Sequence, residues 1–427
     1  MKQIKFDGEL QAKIQIPGSK YIANRALPLA ALSEGTSLIR NIPLNNDIMQ
    51  AIKAFRKLGV KIELDGNQAE VEGTAGHFSQ IDTEIDCGES GTLMRFITAF
   101  ATLVGDNIRI TGSARIMERP VGELVDGLIQ LGARIDRENG ECPPVVIKSN
   151  RLKGGKTRID GSKSSQFISA LLLVAAYAQK DVEIEILGKS VSSSYIDLTC
   201  ELIKKFGGNI EQKNSKHYFV KSDQKYKARN YTIPTDWSTA NFFFAAAAIT
   251  GGKVSIDNLD LQTSQGESGF VDVLEKMGCS VEKKNNSVTL EGTTSLKGIN
   301  IDMSSLPDAV PALAAVSVFC QEDVRIRNIS HLRYKECDRI KALEEELSKL
   351  EANISSSEDE LIIRRNGWKK KPVTFDPRND HRIAMSMALL GLRIPNIKID
   401  NPECVDKSFP GFWSKLQEIG AQVSDVK

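Results

Sequence analysis

The 427-residue chain has no C-x-x-C pair and no two histidines at metal-ligand spacing. Its seven cysteines, Cys87, Cys142, Cys200, Cys279, Cys320, Cys337 and Cys404, stand singly, which suits reduced thiols rather than a disulfide framework. With only four histidines, His77, His217, His331 and His381, a structural zinc or a metal-hydrolase site is not expected, and no metal or other cofactor is assigned. Long apolar runs are missing too. The longest, "FISALLLVAAYA" and "NFFFAAAAIT", fall short of the roughly 18 residues that span a bilayer, and "MKQIKFDGEL" has no apolar signal region, so a cytoplasmic protein off the membrane is expected. Net charge is nearly absent, 56 basic against 55 acidic residues, and aromatics make up 6%, which argues against a nucleic-acid binder. "LGKS" is not a P-loop, because the glycine needed upstream is Glu183, and no G-x-S-x-G elbow occurs.

What is present is repetition. Six segments close an amphipathic helix with a similar turn into a strand: "FRKLGVKIEL", "LIQLGARID", "LIKKFGGNIE", "LEKMGCSVE", "LSKLEANIS" and "LQEIGAQVS", about 70 residues apart. In phase with them run six helices apolar on every side: "ANRALPLAAL", "GTLMRFITAFATL", "SSQFISALLLVAAYA", "STANFFFAAAAIT", "PDAVPALAAVSVF" and "DHRIAMSMALLGL". Such helices are buried. A strand-like run follows each, so the unit reads as a β-α-β-α-β-β element of an α/β fold, with amphipathic helices on a sheet.

The length suits two domains of three units each. The last unit ends at "IGAQVSDVK" without a closing strand, and the chain starts with a spare one, "QAKIQIPG". This N-terminal strand is expected to complete the last unit, giving one domain from residues 1–19 and 234–427 and a middle domain from 20–233, with crossings near Gly18 and Pro234.

Polar residues collect at the starts of the buried helices: Ser19, Lys20 and Arg25; Gly91, Thr92 and Arg95; Ser164, Ser165 and Gln166; Asp236 and Ser238; Asp308; Asp380, His381 and Arg382. A helix N-terminus offers unpaired N–H groups and a positive dipole end, a ready anion site. Ser, Thr and Asp there also serve as plain N-caps. Capping does not account for Arg25, Arg95 and Arg382, cations opposed by the dipole, and together they point to a phosphate site. Arg115 and Arg119 precede another amphipathic helix, and in "RYKECDRIKAL" Lys335 and Arg339 are four apart, on one face if the stretch is helical, with Glu336 beside them.

The motifs "PGSK…NR", "SGTLMR", "ERPVGELVDGL", "GSKSSQF", "SYIDLT", "LPDAVPALA", "RYKECDRI", "NDHRIAMS" and "KSFPGF", in this order from residue 17 to 412, resemble those of the enolpyruvyl transferases. "SSQF", "KECDR" and "NDHRIAM" resemble the shikimate branch in particular. The resemblance implies a two-domain inside-out α/β barrel, each domain three folding units with buried central helices, closing over substrates. It implies transfer of the enolpyruvyl group of phosphoenolpyruvate to the 5-hydroxyl of shikimate 3-phosphate by addition and elimination, releasing phosphate, in chorismate and aromatic amino acid biosynthesis. Phosphoenolpyruvate would meet Lys20, Gly91, Arg119, Gln166, Arg339, Arg382 and Lys407. Shikimate 3-phosphate would meet Lys20, Tyr21, Arg25, Ser164, Ser165, Gln166, Ser192, Asp308, His331 and Lys335, with Tyr195 along its ring. Asp308 would take the hydroxyl proton, and Lys20 or Glu336 would exchange protons with C3. Gly91 would also border the inhibitor glyphosate.

Three positions depart from the family's usual residues: Tyr21 for Ser, Glu89 for Asn and His331 for Asn. A sister transferase acting on UDP-N-acetylglucosamine would need a reactive cysteine in a loop, and no cysteine here has that setting. An RNA-end-processing or RNA-binding protein of related fold would need a basic, aromatic-rich strand surface. The expected partners are therefore the two small substrates, with no nucleic acid and no membrane, and the expected state is a monomer.

Overall fold

A helix without a polar face has no side to offer water, and six such helices form the two cores. They are Lys20–Leu32, Gly91–Val104, Ser165–Ala175, Trp237–Thr250, Val310–Ser317 and His381–Leu390, buried along nearly their whole lengths. The structure is a computed structural model that describes residues 1–78, 82–148, 151–188, 191–365 and 368–426. It divides into two compact units, Met1–Pro17 with Pro234–Lys427, and Gly18–Ile233. The first three central helices belong to the core of the second of these, and the last three to the core of the first.

Among the described residues each central helix is matched by a four-stranded mixed sheet. The second shows the pattern: Glu84–Asp86 pairs parallel with Asp106–Thr111, which pairs antiparallel with Cys142–Lys148, whose hairpin partner is Ile135–Asn139. A parallel pair needs a crossover, and here the central helix Gly91–Val104 supplies it.

Two sheets exchange their edge strands. Gln11–Ile14, which precedes the first central helix, pairs parallel with Lys253–Ile256 of the fourth sheet, while Asn230–Thr232 pairs with Thr36–Arg40 of the first. The segment "QAKIQIPG" therefore does not complete the last sheet as the sequence suggested. That place is taken by the shorter Lys2–Lys5, between Ile397–Ile399 and Gln422–Asp425. Alternation gives a strand its buried face but not its partner.

Each amphipathic helix ends on a residue in the left-handed region: Gly59, Gly132, Gly207, Gly278, Gly420 and, in the fifth repeat, Glu351. In "RYKECDRIKAL" the helix begins only at Arg339, because Asp338 caps it by accepting from Lys341 N at 3.1 Å. Ser330–Tyr334 is a 3-10 turn and Lys335 is extended, so Lys335 and Arg339 do not share a helix face.

Candidate active site

The capping alternative holds at several starts. Ser90 accepts from Leu93 N, Ser164 from Gln166 N, Asp236 from Thr239 N and Asp380 from Arg382 N. The basic side chains do something else.

In Gly18–Ile233, Lys20 donates to Asp47 Oδ2 at 3.0 Å, a pair with side chains only 11% and 9% exposed. Asp47 lies in the first turn of the helix Asn46–Lys57, where an acid is commonplace and by itself signals nothing beyond the helix dipole. Arg25 is 1% exposed. Its Nε donates to Thr199 Oγ1 at 2.7 Å, Nη1 to Tyr21 O at 2.8 Å and Nη2 to Tyr195 O at 3.1 Å. The guanidinium stacks near the rings of Phe96 and Tyr195. Burial pushes its pKa down to about 10, and among the described residues no carboxylate is paired with it. Tyr21 packs its ring 5.0 Å from that of Tyr195.

At the second central helix, Arg119 lies directly over Gly91: a Cβ there would stand 2.4 Å from the guanidinium carbon. Arg95, expected to face an anion, instead donates to Gln166 Oε1 and Pro120 O. At the third, Ser165 is buried and Ser164 half-buried, and Ser192 is buried with a positive φ of 52°. Lys163 pairs with Glu123 at 2.5 Å.

In the other unit a second buried arginine, Arg339, gathers carboxylates. Nη1 donates to Asp308 at 2.8 Å, Nη2 to Glu336 at 2.8 Å and Nε to Asp380 at 2.7 Å. Burial lowers its pKa, but Asp380, Glu336 and Asp308 outweigh this and hold it well above the usual value. Arg382 Nε lies 3.4 Å from the same Asp308 oxygen. His331 is 3% exposed, and neither ring nitrogen has a hydrogen-bond partner among the described residues. Burial, then Lys335, pushes its pKa down to about 3, so the ring is neutral. Lys335 is half-buried, and Lys407 is buried at the end of the 3-10 turn Pro402–Lys407.

Within each unit the basic side chains can meet an anion, and Lys20 in one unit and Asp308 and Glu336 in the other are groups able to move protons. No group of His, Cys, Asp and Glu that could hold a metal ion occurs among the described residues. Three buried thiols are not activated: burial pushes Cys200 and Cys320 up to about 12 and Cys279 up to about 11.

A cation-lined set of buried helix starts on repeated β-α-β-α-β-β units marks the class, and comparison with known proteins gives the family. The family model described as EPSP synthase (3-phosphoshikimate 1-carboxyvinyltransferase) matches residues 4–416. A 3-phosphoshikimate 1-carboxyvinyltransferase of Methanoculleus marisnigri is 40% identical over 97% of this chain and 98% of its own. The chloroplastic protein of that name from Brassica napus is 39% identical over 96% of this chain and 83% of its own. Among solved structures, EPSP synthase of Acinetobacter baumannii superposes with a TM-score of 0.82 at 25% identity, covering 99% of both chains. The chain belongs to the EPSP synthase family.

Proposed function

We propose that the protein is a 3-phosphoshikimate 1-carboxyvinyltransferase, which joins C2 of phosphoenolpyruvate to the 5-hydroxyl oxygen of shikimate 3-phosphate and releases phosphate. Besides the family, the observation that carries this is Arg25. A buried guanidinium without a carboxylate is costly unless an anion arrives to meet it, and three of its five N–H groups are spent on neutral oxygens. Two remain for the acceptor's carboxylate. Ser164, Ser165 and Ser192 receive the acceptor's phosphate, and the positive φ of Ser192 is the kind of strain that functional sites hold. Tyr21, Gln166, His331 and Lys335 line the acceptor. Phosphoenolpyruvate is met by Lys20, Gly91, Arg119, Gln166, Arg339, Arg382 and Lys407.

Asp308, held by Arg339 and 3.4 Å from Arg382 Nε, is the carboxylate that accepts the hydroxyl proton as the oxygen attacks C2. A proton is added at C3, giving a tetrahedral intermediate. Removal of a C3 proton then expels phosphate. Lys20, paired with Asp47, and Glu336, paired with Arg339, are the two groups for the C3 proton. Developing charge is met by fixed cations. The raised thiols disfavour a sister activity that depends on a cysteine.

The protein works as a cytoplasmic monomer without nucleic-acid or membrane partners. Its charge is balanced, and among the described residues no helix is long and apolar enough to cross a membrane.

The test is phosphate release from phosphoenolpyruvate and shikimate 3-phosphate, each omitted in turn. Release only with both is expected; release without the acceptor, or none with both present, would sink the proposal. Glyphosate should compete with phosphoenolpyruvate. Gly91→Ala should weaken glyphosate more than it raises the KM for phosphoenolpyruvate, yet the KM should also rise, roughly tenfold, because the added methyl displaces Arg119. An unchanged KM would show that Arg119 moves aside without cost.

A further inference from the structure

The second central helix carries a buried arginine for which the proposed reaction has no direct use. Arg95 is 3% exposed, and its guanidinium carbon stands 5.1 Å from the Phe167 ring centre. Nε and Nη2 both donate to the Pro120 carbonyl, at 3.3 and 2.9 Å. Nη1 donates to Gln166 Oε1 at 2.7 Å, and Gln166 Nε2 donates in turn to Thr92 Oγ1 at 3.0 Å. The two ends of the Gln166 amide are thereby told apart. Its oxygen is turned to the guanidinium, and one of its two N–H groups is engaged by Thr92, which leaves the other to donate. Pro120 O anchors the far side of the guanidinium, so Arg95 cannot swing to follow the amide.

We propose that Arg95 is a positioning residue: by fixing the orientation of the Gln166 amide it makes Gln166 present an N–H, not a carbonyl, to an oxygen of the bound anionic substrate. This rests on the proposal above that Gln166 meets substrate. Without Arg95 the amide can flip, and its oxygen then faces the anion, lone pair against lone pair. A lysine cannot replace it, since one ammonium lacks the planar fork that holds Pro120 O and Gln166 together.

The test is a double-mutant cycle of Arg95→Met and Gln166→Ala, read as the KM for each substrate, kcat and thermal midpoint. Each single change should raise the KM of at least one of the two substrates, both of which Gln166 is proposed to meet, by roughly tenfold, and the same one in both variants, with kcat changed less than about threefold. In the double variant the rise should stay near that of Gln166→Ala alone. A rise equal to the product of the two single effects, or a folded Arg95→Met with wild-type KM, overturns the proposal. Should Arg95→Met fail to fold, Thr92→Val releases the other end of the amide and should raise the KM only while Gln166 is present; a rise that persists in Gln166→Ala overturns it. A readout independent of turnover is the side-chain amide NMR signal of Gln166, identified by its loss in Gln166→Ala. It should shift and broaden in Arg95→Met, and an unchanged signal overturns the proposal even if the enzyme reading stands. Conversely, a signal that shifts in Arg95→Met, with a wild-type protein that releases no phosphate from the two substrates, would fail only the functional proposal.

Discussion

Arg25 and Arg339 are buried to the same degree, each 1% exposed, in opposite electrostatic settings. Arg25 is surrounded by neutral oxygens and aromatic rings, and burial lowers its pKa to about 10. Arg339 touches Asp308, Glu336 and Asp380, and the three carboxylates more than reverse the effect of burial. Both begin from the same residue type in a central or neighbouring helix start. The difference teaches what each place is for. On the proposed function, a cation left without a counter-charge holds affinity in reserve for an anion from outside, whereas a cation with three acids would fix those acids in place for proton transfer.

The largest effect should come from breaking the saturated side. Arg339→Met leaves buried carboxylates without their common partner, and losing one side of such a group costs about 3–5 kcal/mol. Its urea midpoint at pH 7.5 should drop accordingly, and turnover should be lost. A variant as stable as wild type would mean that the three acids do not depend on Arg339.

Next comes the mirror experiment. Arg25→Met removes a cation that opposes burial and leaves no orphaned anion, so stability should stay within about 1 kcal/mol of wild type. Binding should pay instead, with the KM for shikimate 3-phosphate raised roughly 10²-fold, as for a lost charge-assisted pair, and that for phosphoenolpyruvate far less. Equal destabilisation by Arg25→Met and Arg339→Met would erase the contrast between the two sites.

Much of this was legible in the sequence, for definite reasons. The six apolar helices announce burial by composition alone, and Lys20 and Arg25 stand out because cations are out of place in such helices. Pairing is where the sequence falls silent. Gln11–Ile14 and Lys2–Lys5 both alternate like strands, and only the sheets show which completes which. Asp47 looks like any first-turn acid until Lys20 reaches it from another helix. By helix position alone Arg95 reads like Arg25 and Arg382, as a cation facing an anion; its partners Gln166 and Pro120 come from elsewhere in the chain. The start of the helix at Arg339 could have been found from Asp338, an N-cap residue type, weighed against the i,i+4 spacing of Lys335 and Arg339.

The smallest expected effect sharpens the saturated side. His331 senses the charges of Lys335, Asp308 and Arg339, yet burial keeps its ring neutral, with a pKa of about 3 against roughly 6.5 in the unfolded chain. A folded-state pKa below the unfolded value means that the unfolded chain takes up the proton first. Stability is therefore full above about pH 6.5 and declines as the pH falls, by about 1.4 kcal/mol per unit, until the folded form also titrates. His331→Asn removes that loss while keeping a hydrogen-bond donor and acceptor. Between pH 6.5 and 4.5 its urea midpoint should fall less than that of wild type, and at pH 7.5 the two should be close. Parallel midpoints across this range would show that His331 becomes protonated in the folded protein despite its burial.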